Sequence, residues 1–288
     1  MHDTLAISRR NALWGLVPAL IVLLLFFSAF GIFFLSSLQA SGEAGGLTMA
    51  HYARYLGSPS ERDVLWRTLW ISTELTLGSL IIGYPMAYVI VRSASSGWRR
   101  FLMLSLVVTF LSGTVTRAYA WLIILGNSGL INTFLRKTGF TDAPVHLIYN
   151  ETGVFISLLH FVLPFFVLTM MAPLKNISRS LEDAAVNLGA SRWRSFFLVT
   201  LPLSVPGIVA ASSLTFAVAL SSFLFPLVLG GGRVRMAANA IYELIFTRFD
   251  LPLASAGATV FLVLSLFFVW VFGMLQRAVQ LGPSVRQQ

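Results

Sequence analysis

Long apolar stretches alternate along the chain with short polar connections. Six stretches are near or above the roughly 20 residues that a helix needs to cross a bilayer: 13–38, 66–91, 101–125, 152–174, 203–229 and 252–276. A transmembrane barrel would show short segments of alternating polarity instead, and none occurs. In hydrocarbon each backbone N–H and C=O must find its partner within the segment, so the spans are predicted to be α-helices. The fold class is therefore an all-α polytopic membrane protein with six transmembrane helices. Pro18, Pro85, Pro164, Pro206 and Pro226 lie within or at the ends of spans, where neighbouring helices can satisfy the freed carbonyls. The second span is interrupted by Glu74, Gly78, Gly83 and Pro85. With no internal repeat or low-complexity tail, residues 1–288 read as a single transmembrane domain.

Composition agrees with that reading. The chain is 57% hydrophobic and 11% charged, against roughly 25% charged in soluble domains. Its net charge of +9 would suit a nucleic-acid partner. However, the basic residues are scattered among membrane flanks rather than gathered on one soluble face, so no nucleic acid is expected. They serve instead to set topology and to meet anionic lipid of the bilayer. Cysteine is absent, which excludes disulfides, a thiolate nucleophile and Cys-based metal sites. His2, His51, His146 and His160 form no i, i+4 pair, so no helical metal site is expected. Ser8-Arg9-Arg10 resembles a twin-arginine signal, but Ala12 stands where a bulky apolar residue belongs. The apolar run from Leu13 to Leu38 also exceeds the roughly 7–15 residues of a signal peptide, predicting a retained first helix.

Orientation follows the positive-inside rule. With both termini cytoplasmic, eleven Lys and Arg residues fall on the inner side and nine on the outer side, where Arg67 and Arg117, inside spans, are counted with the outer side. Density separates the sides better than count, since Arg92, Arg99 and Arg100 lie within nine residues that hold no acid. The connection 175–202 is then cytoplasmic. Residues 39–64 and 126–151 become outer loops long enough to carry a job of their own, as lids or as a landing surface, or to be plain connectors. Gly126 to Asn132 reads as a turn leading into a short amphipathic piece that ends at Arg136-Lys137.

No catalytic constellation stands out. A P-loop needs a lysine after glycine and before Ser or Thr, and the two lysines follow Arg136 and Leu174. The chain is therefore not expected to be an enzyme, and any ATPase would be a separate polypeptide.

The most informative segment is 182–202. Ser180 or Asp183 can cap a helix, and Glu182 and Asp183 suit the positive end of its dipole. Ala184 and Ala185 favour helix with minimal bulk, allowing close seating in a groove. Gly189 can end the helix in the left-handed conformation. Ala190 and Ser191 lead to Arg192-Trp193-Arg194, a basic aromatic patch suited to an interface, and Leu201-Pro202 opens the next span.

The segment resembles the cytoplasmic loop of permease subunits of binding-protein-dependent ABC importers, whose pattern is E-A-A-x3-G-x9-I-x-L-P. Asp183, Ala184, Ala185, Gly189, Leu201 and Pro202 fall on that spacing. Asp183 replaces the Glu and Val199 the Ile, keeping charge and shape. Gly83-Tyr84-Pro85-Met86-Ala87-Tyr88, Thr116 to Trp121 and Gly129 to Asn132 are similar to spermidine/putrescine-type permeases. The resemblance implies a type I importer fold in the bacterial inner membrane. It also implies two ATPase subunits that bind ATP and Mg, a periplasmic solute-binding protein, and a partner permease that is either a second homologous chain, giving a heterodimer, or a second copy of this one. No cofactor is implied for this chain. In that family the short helix inserts into a cleft on the ATPase and carries its motion to the membrane, so Glu182, Asp183, Ala184, Ala185, Gly189, Ala190, Ser191, Leu201 and Pro202 become ATPase-coupling candidates. The implied cargo is a polyamine or a related small polar solute.

Charges inside spans cost roughly 2.5–3.5 kcal/mol on insertion scales and are functional candidates by default. Glu74 and Arg117 qualify, and Tyr119 and Trp121 beside Arg117 could form an aromatic wall along a substrate pathway. A mutual salt bridge between Glu74 and Arg117 is the packing alternative. The rival functional class is an ion-gradient-driven secondary transporter or channel subunit, which would be expected to carry coupling carboxylates at mid-bilayer. Mid-span acids are nearly missing.

The orientation has a direct test. Tags at Ser95 and Ser178 should be protected in intact cells, whereas tags at Gly45 and Asp142 should be reachable from outside. A reversal at any of the four positions refutes the assigned topology.

Overall fold

A computed structural model describes residues 9–39, 46–93 and 95–280. It is helical: α1 (Arg9–Leu38), α2 (Ala50–Gly57), α3 (Pro59–Arg92), α4 (Ser96–Leu111), α5 (Thr114–Leu125), α6 (Leu130–Lys137), α7 (Glu151–Asn176), α8 (Arg179–Asn187) and α9 (Arg192–Ser195). A π-helical turn (Phe196–Thr200) then leads into α10 (Leu201–Leu220), α11 (Leu224–Leu229), α12 (Ala237–Phe246) and α13 (Leu251–Gln280). Among the described residues, six helices are long and apolar enough to cross a membrane: Val17–Leu38, Pro59–Arg92, Thr114–Lys137, Glu151–Asn176, Arg192–Leu220 and Leu251–Val279.

Two of the expected spans differ from expectation, in three respects. The 101–125 stretch is not one helix, because the chain turns extended at Ser112-Gly113 between α4 and α5. Ser112 closes α4, its backbone N–H and its Oγ both donating to the Val108 carbonyl. The 203–229 stretch breaks at Ser221–Phe223, before α11. Pro226 explains this break: in a continuous helix its ring would meet the carbonyl of Ser222, whereas in the first turn of α11 its missing N–H costs nothing. The third difference is that Pro202 does not open its span. Helix is already running from Arg192, and the wider π turn lies immediately ahead of the proline, with Leu201 N–H donating to the Phe196 carbonyl five residues back. That turn accommodates the ring and the lost donor.

The chain divides into two compact units. Met1–Pro59 with Ile241–Val260 makes the first, and Tyr55 is fully buried in it. A Cβ at Gly257 would sit 2.5 Å from the Tyr55 ring, so only glycine admits the ring there. Arg54 pairs with Asp250 at 2.9 Å, His51 Nε2 bonds the Gln39 carbonyl at 2.9 Å and Tyr52 meets Ser37 at 2.6 Å.

The second unit, Ser60–Ala240 with Phe261–Gln288, is organised around α7. The first half of α7 supplies Val154, Leu158 and Val162 to a cluster with Ile71, Leu75, Ala118, Leu125 and Phe225. Its second half supplies Phe166, Val167, Met170 and Leu174 to a cluster with Tyr84, Ala87, Ile90, Leu106 and Ala211. Lipid tails are as apolar as these side chains, so helix association relies on close packing and polar contacts rather than on escape from water. Gly83 on α3 shows the closeness, since a Cβ there would lie 2.7 Å from the Phe166 ring. The connection after α5 is also ordered: buried Asn132 donates to the carbonyls of Gly126 and Val145 and accepts from Val145 N–H.

Gly83→Val forces Phe166 and Leu163 aside and should destabilise the fold by about 1–3 kcal/mol. Its effect is read as a lowered Tm in detergent, with Gly97→Val, which has open space around it, as the reference. Equal Tm for the two variants contradicts the close α3–α7 contact.

Candidate functional site

The polar segment after α7 forms a short helix, α8, bounded on both sides. Ser178, rather than Ser180 or Asp183, is the N-cap: its hydroxyl accepts from the Ser180 N–H at 3.3 Å. The helix therefore starts at Arg179, and Glu182 lies in its first turn, where a carboxylate suits the dipole. Gly189 ends it with φ +93°. Ala190 N–H donates to the Ala185 carbonyl and Gly189 N–H to that of Val186, the paired bonds of a Schellman stop. A side chain with a Cβ is strained at that φ.

Leu181, Ala184, Ala185 and Leu188 follow the i, i+3, i+4, i+7 spacing of one helix face. Leu181 is 47% and Leu188 89% exposed, Asp183 and Ala184 are exposed, and α8 has no buried residue. The helix thus presents an apolar stripe that is open at Leu181, Ala184 and Leu188 and half-covered at Ala185. Ala190 is half-buried, Ser191 is exposed and caps α9 by accepting from Arg194 N–H, Leu201 is half-buried and Pro202 exposed.

Glu182 faces the protein. Its Oε1 pairs with Arg92 Nη2 at 2.8 Å and accepts from Thr200 Oγ1 at 2.8 Å, with the two charged side chains only 10% and 19% exposed. Arg92 Nη2 also donates to the Ile177 carbonyl at 2.8 Å. Arg179 Nη2 donates to the carbonyls of Val91 and Arg92, an apt use of a cation at the C-terminal end of α3. Ser195 Oγ adds a 3.2 Å bond to the Glu182 carbonyl. Beside this network lies an open cavity of about 530 Å³ lined by Tyr84, Pro85, Tyr88, Arg192, Trp193 and Phe196. Phe196 packs edge-on against Tyr84 and Tyr88. Composition of the segment foreshadows none of these partners, because Arg92 and Thr200 lie far from Glu182 in sequence.

The four pathway candidates do not converge. Arg117 and Trp121, one helical turn apart on α5, face α7. The Arg117 guanidinium lies 4.8 Å from the Phe161 ring centroid, a cation–π contact, and the residue is 8% exposed. Its Nε and Nη1 are buried without a hydrogen-bond partner. Trp121 Nε1 donates to His160 Nδ1 at 3.1 Å, which requires that ring nitrogen to be unprotonated. Tyr119, two residues on, is 53% exposed and lies off this cluster. Glu74 is half-buried on α3, and among the described residues no ion pair joins it to Arg117. His160 and Phe161 were not singled out in the sequence as pathway residues. A histidine inside an apolar span was the available signal.

Comparison with known proteins places the chain. A family model described as "Binding-protein-dependent transport system inner membrane component" matches residues 6–281. The spermidine/putrescine transport system permease protein PotB of Haemophilus influenzae is 31% identical over 255 residues, covering 88% of this chain and 86% of that protein. PotB of Escherichia coli K12 is 29% identical, covering 83% and 88%. A putative 2-aminoethylphosphonate transport system permease, PhnU of Salmonella choleraesuis, is 29% identical over 91% of each chain. Among solved structures, a chain of a bacterial ABC transporter that imports alginate superposes with a TM-score of 0.79 at 21% identity, over 94% of this chain and 97% of that one. A chain of the MetNI methionine transporter gives 0.57 at 16%, over 80% and 97%. At those identities the likeness concerns the fold alone. A match over nearly the whole chain, six membrane helices and the ABC importer permease fold together identify the chain as a non-catalytic, multi-pass inner-membrane permease of the binding-protein-dependent transport systems.

Proposed function

We propose that this chain is one of two homologous permease subunits of an ATP-driven importer, working with two ATPase subunits and a periplasmic solute-binding protein. The observation that carries this reading is α8, a capped helix that projects a largely exposed stripe of Leu181, Ala184 and Leu188 with half-buried Ala185 among them. A soluble partner's groove is the natural cover for such a stripe on a non-membrane connection. With both termini cytoplasmic, α8 meets the ATPase subunits, whose bound ATP and Mg supply the energy that this chain has no P-loop to harvest. Closure of the ATPase pair draws the α8 helices together, and the spans rock to expose the pathway alternately to the two sides. Asp183, exposed beside the stripe, offers a carboxylate to a cation on the groove's rim, while Gly189, Ala190 and Ser191 set the turn back toward the membrane. The whole chain acts as one permease domain.

The cargo is a small amine-bearing solute of the polyamine type. Support comes from relatives at about 30% identity over most of the chain, and the solutes named for these relatives and for PhnU share a primary amine. Glu74 adds a carboxylate within a span, and among the described residues no ion pair engages it, matching an ammonium. Arg117, with Trp121, shapes the α5 side of the pathway where that helix meets α7.

Ala185→Trp adds bulk where the stripe must seat, and Gly189→Pro cannot take the positive φ that ends the helix. Both variants should insert normally yet lose most ATPase co-purification and binding-protein-stimulated hydrolysis. Normal stimulated hydrolysis in both sinks the docking assignment.

For the pathway, Glu74→Gln, Arg117→Gln and the double variant are compared for thermal stability and for uptake into proteoliposomes. Because no ion pair joins the two residues, the double variant should show additive losses of stability rather than mutual rescue. Arg117→Gln should cost roughly 0.5–2 kcal/mol from the lost cation–π contact. Glu74→Gln should stay assembled with coupled ATPase while uptake of putrescine drops. Uptake that simply tracks stability through all three retires the pathway roles.

A further inference from the structure

α8 has no buried residue, so apolar packing holds it only lightly to the membrane helices. A docking helix on two loose hinges would tilt when pulled and pass little of the motion on. Its attachment is polar: Arg179 donates to the carbonyls of Val91 and Arg92 at the end of α3, and the more enclosed contact runs through one carboxylate. Glu182 Oε1 holds Arg92, the last residue of α3, and Thr200, the last residue of the π turn that leads into α10. The same Arg92 nitrogen holds the Ile177 carbonyl, just past the end of α7. Three membrane helices therefore meet at one half-enclosed ion pair. Arg92 Nε is buried without a partner, so Glu182 provides the charge compensation that this guanidinium needs. In a site shielded from water such bonds are stiff and directional.

We propose that Arg92, Glu182 and Thr200 are positioning residues for energy coupling: a joint through which displacement of α8 reaches α3, α7 and α10 together. The proposal rests on the reading of α8 as the ATPase-docking helix. None of the three residues touches solute or nucleotide. Glu182 supplies the acceptor, Arg92 the branching cation, and Thr200 the link to a π turn, an element that can change its hydrogen-bond register at low cost. Phe196, at the start of that turn, lies against Tyr84 and Tyr88, so a register change there would bear on α3 a second time.

The chain has no cysteine, so one introduced thiol reports cleanly. In a Ser221→Cys background, Ser221 being exposed at the far end of α10, the assembled importer is placed in proteoliposomes. The thiol's labelling rate is then measured with and without ATP and vanadate. Thr200→Val and Arg92→Gln should retain the ATPase subunits on purification but shrink the vanadate-induced rate change by roughly tenfold, the weight of one charged hydrogen bond. Exchanging the charges, Arg92→Glu with Glu182→Arg, should recover it in part, and Thr200→Ser almost fully. A rate change unaltered in Thr200→Val and Arg92→Gln overturns the proposal. So does loss of the ATPase subunits from these variants, which makes the ion pair a mere support for the shape of α8. Thr200→Val, nearly isosteric, decides the matter where the charge-exchanged pair does not assemble. Failure of the docking reading shows separately, as ATPase subunits retained in Ala185→Trp.

Discussion

The bilayer's refusal to hydrogen-bond is the constraint from which most of this structure follows. Each backbone group in the hydrocarbon must be satisfied within its own helix or by a neighbour. Ahead of α11 and at Pro202 local devices answer the broken ladder: Ser221 and Ser222 both bond back to the Val218 carbonyl, and a π turn precedes the proline. Breaks at 112–113 and 221–223 are thus built features of spans that hydropathy alone draws as continuous.

Within that frame the hydrophobic effect contributes little to holding helices together, and contact quality takes over. α7 contributes buried residues along nearly its whole length, and glycine on α3 lets it come close enough for ring-to-backbone contact. Polar groups then do what apolar packing cannot. Asn132 organises the connection after α5, Trp121 and His160 bridge α5 to α7, and the Arg92–Glu182–Thr200 network binds α8 to the membrane helices. These polar contacts are few, but each is directional, and so each constrains a register that lipid-facing Leu, Val and Phe leave free.

α8 illustrates a division of labour on a helix of nine residues. Glu182 and Arg179 turn inward to the protein, while Leu181, Ala184, Ala185 and Leu188 turn outward. Adjacent acids in the sequence, Glu182 and Asp183, therefore have opposite surroundings: one in an ion pair, the other in solvent. Helical geometry separates neighbouring residues by about 100° and makes this possible.

The sequence by itself determined the number and type of the spans, because apolar length and backbone satisfaction depend only on local composition. It also determined the position of α8, its glycine stop and the family, since the Asp183-Ala184-Ala185-Gly189 spacing is a local pattern. Tertiary structure alone decided the partners of the charges. Arg92 finds Glu182, Arg117 finds Phe161 rather than Glu74, and Tyr119 turns away from the face that Arg117 and Trp121 share. Ser178 took the cap from Ser180 and Asp183, and Pro202 fell inside a helix instead of at its start, because each depends on where α7 ends and how α10 is entered. Such pairings are set by which helix faces meet, and that is a property of the packed bundle rather than of any one segment.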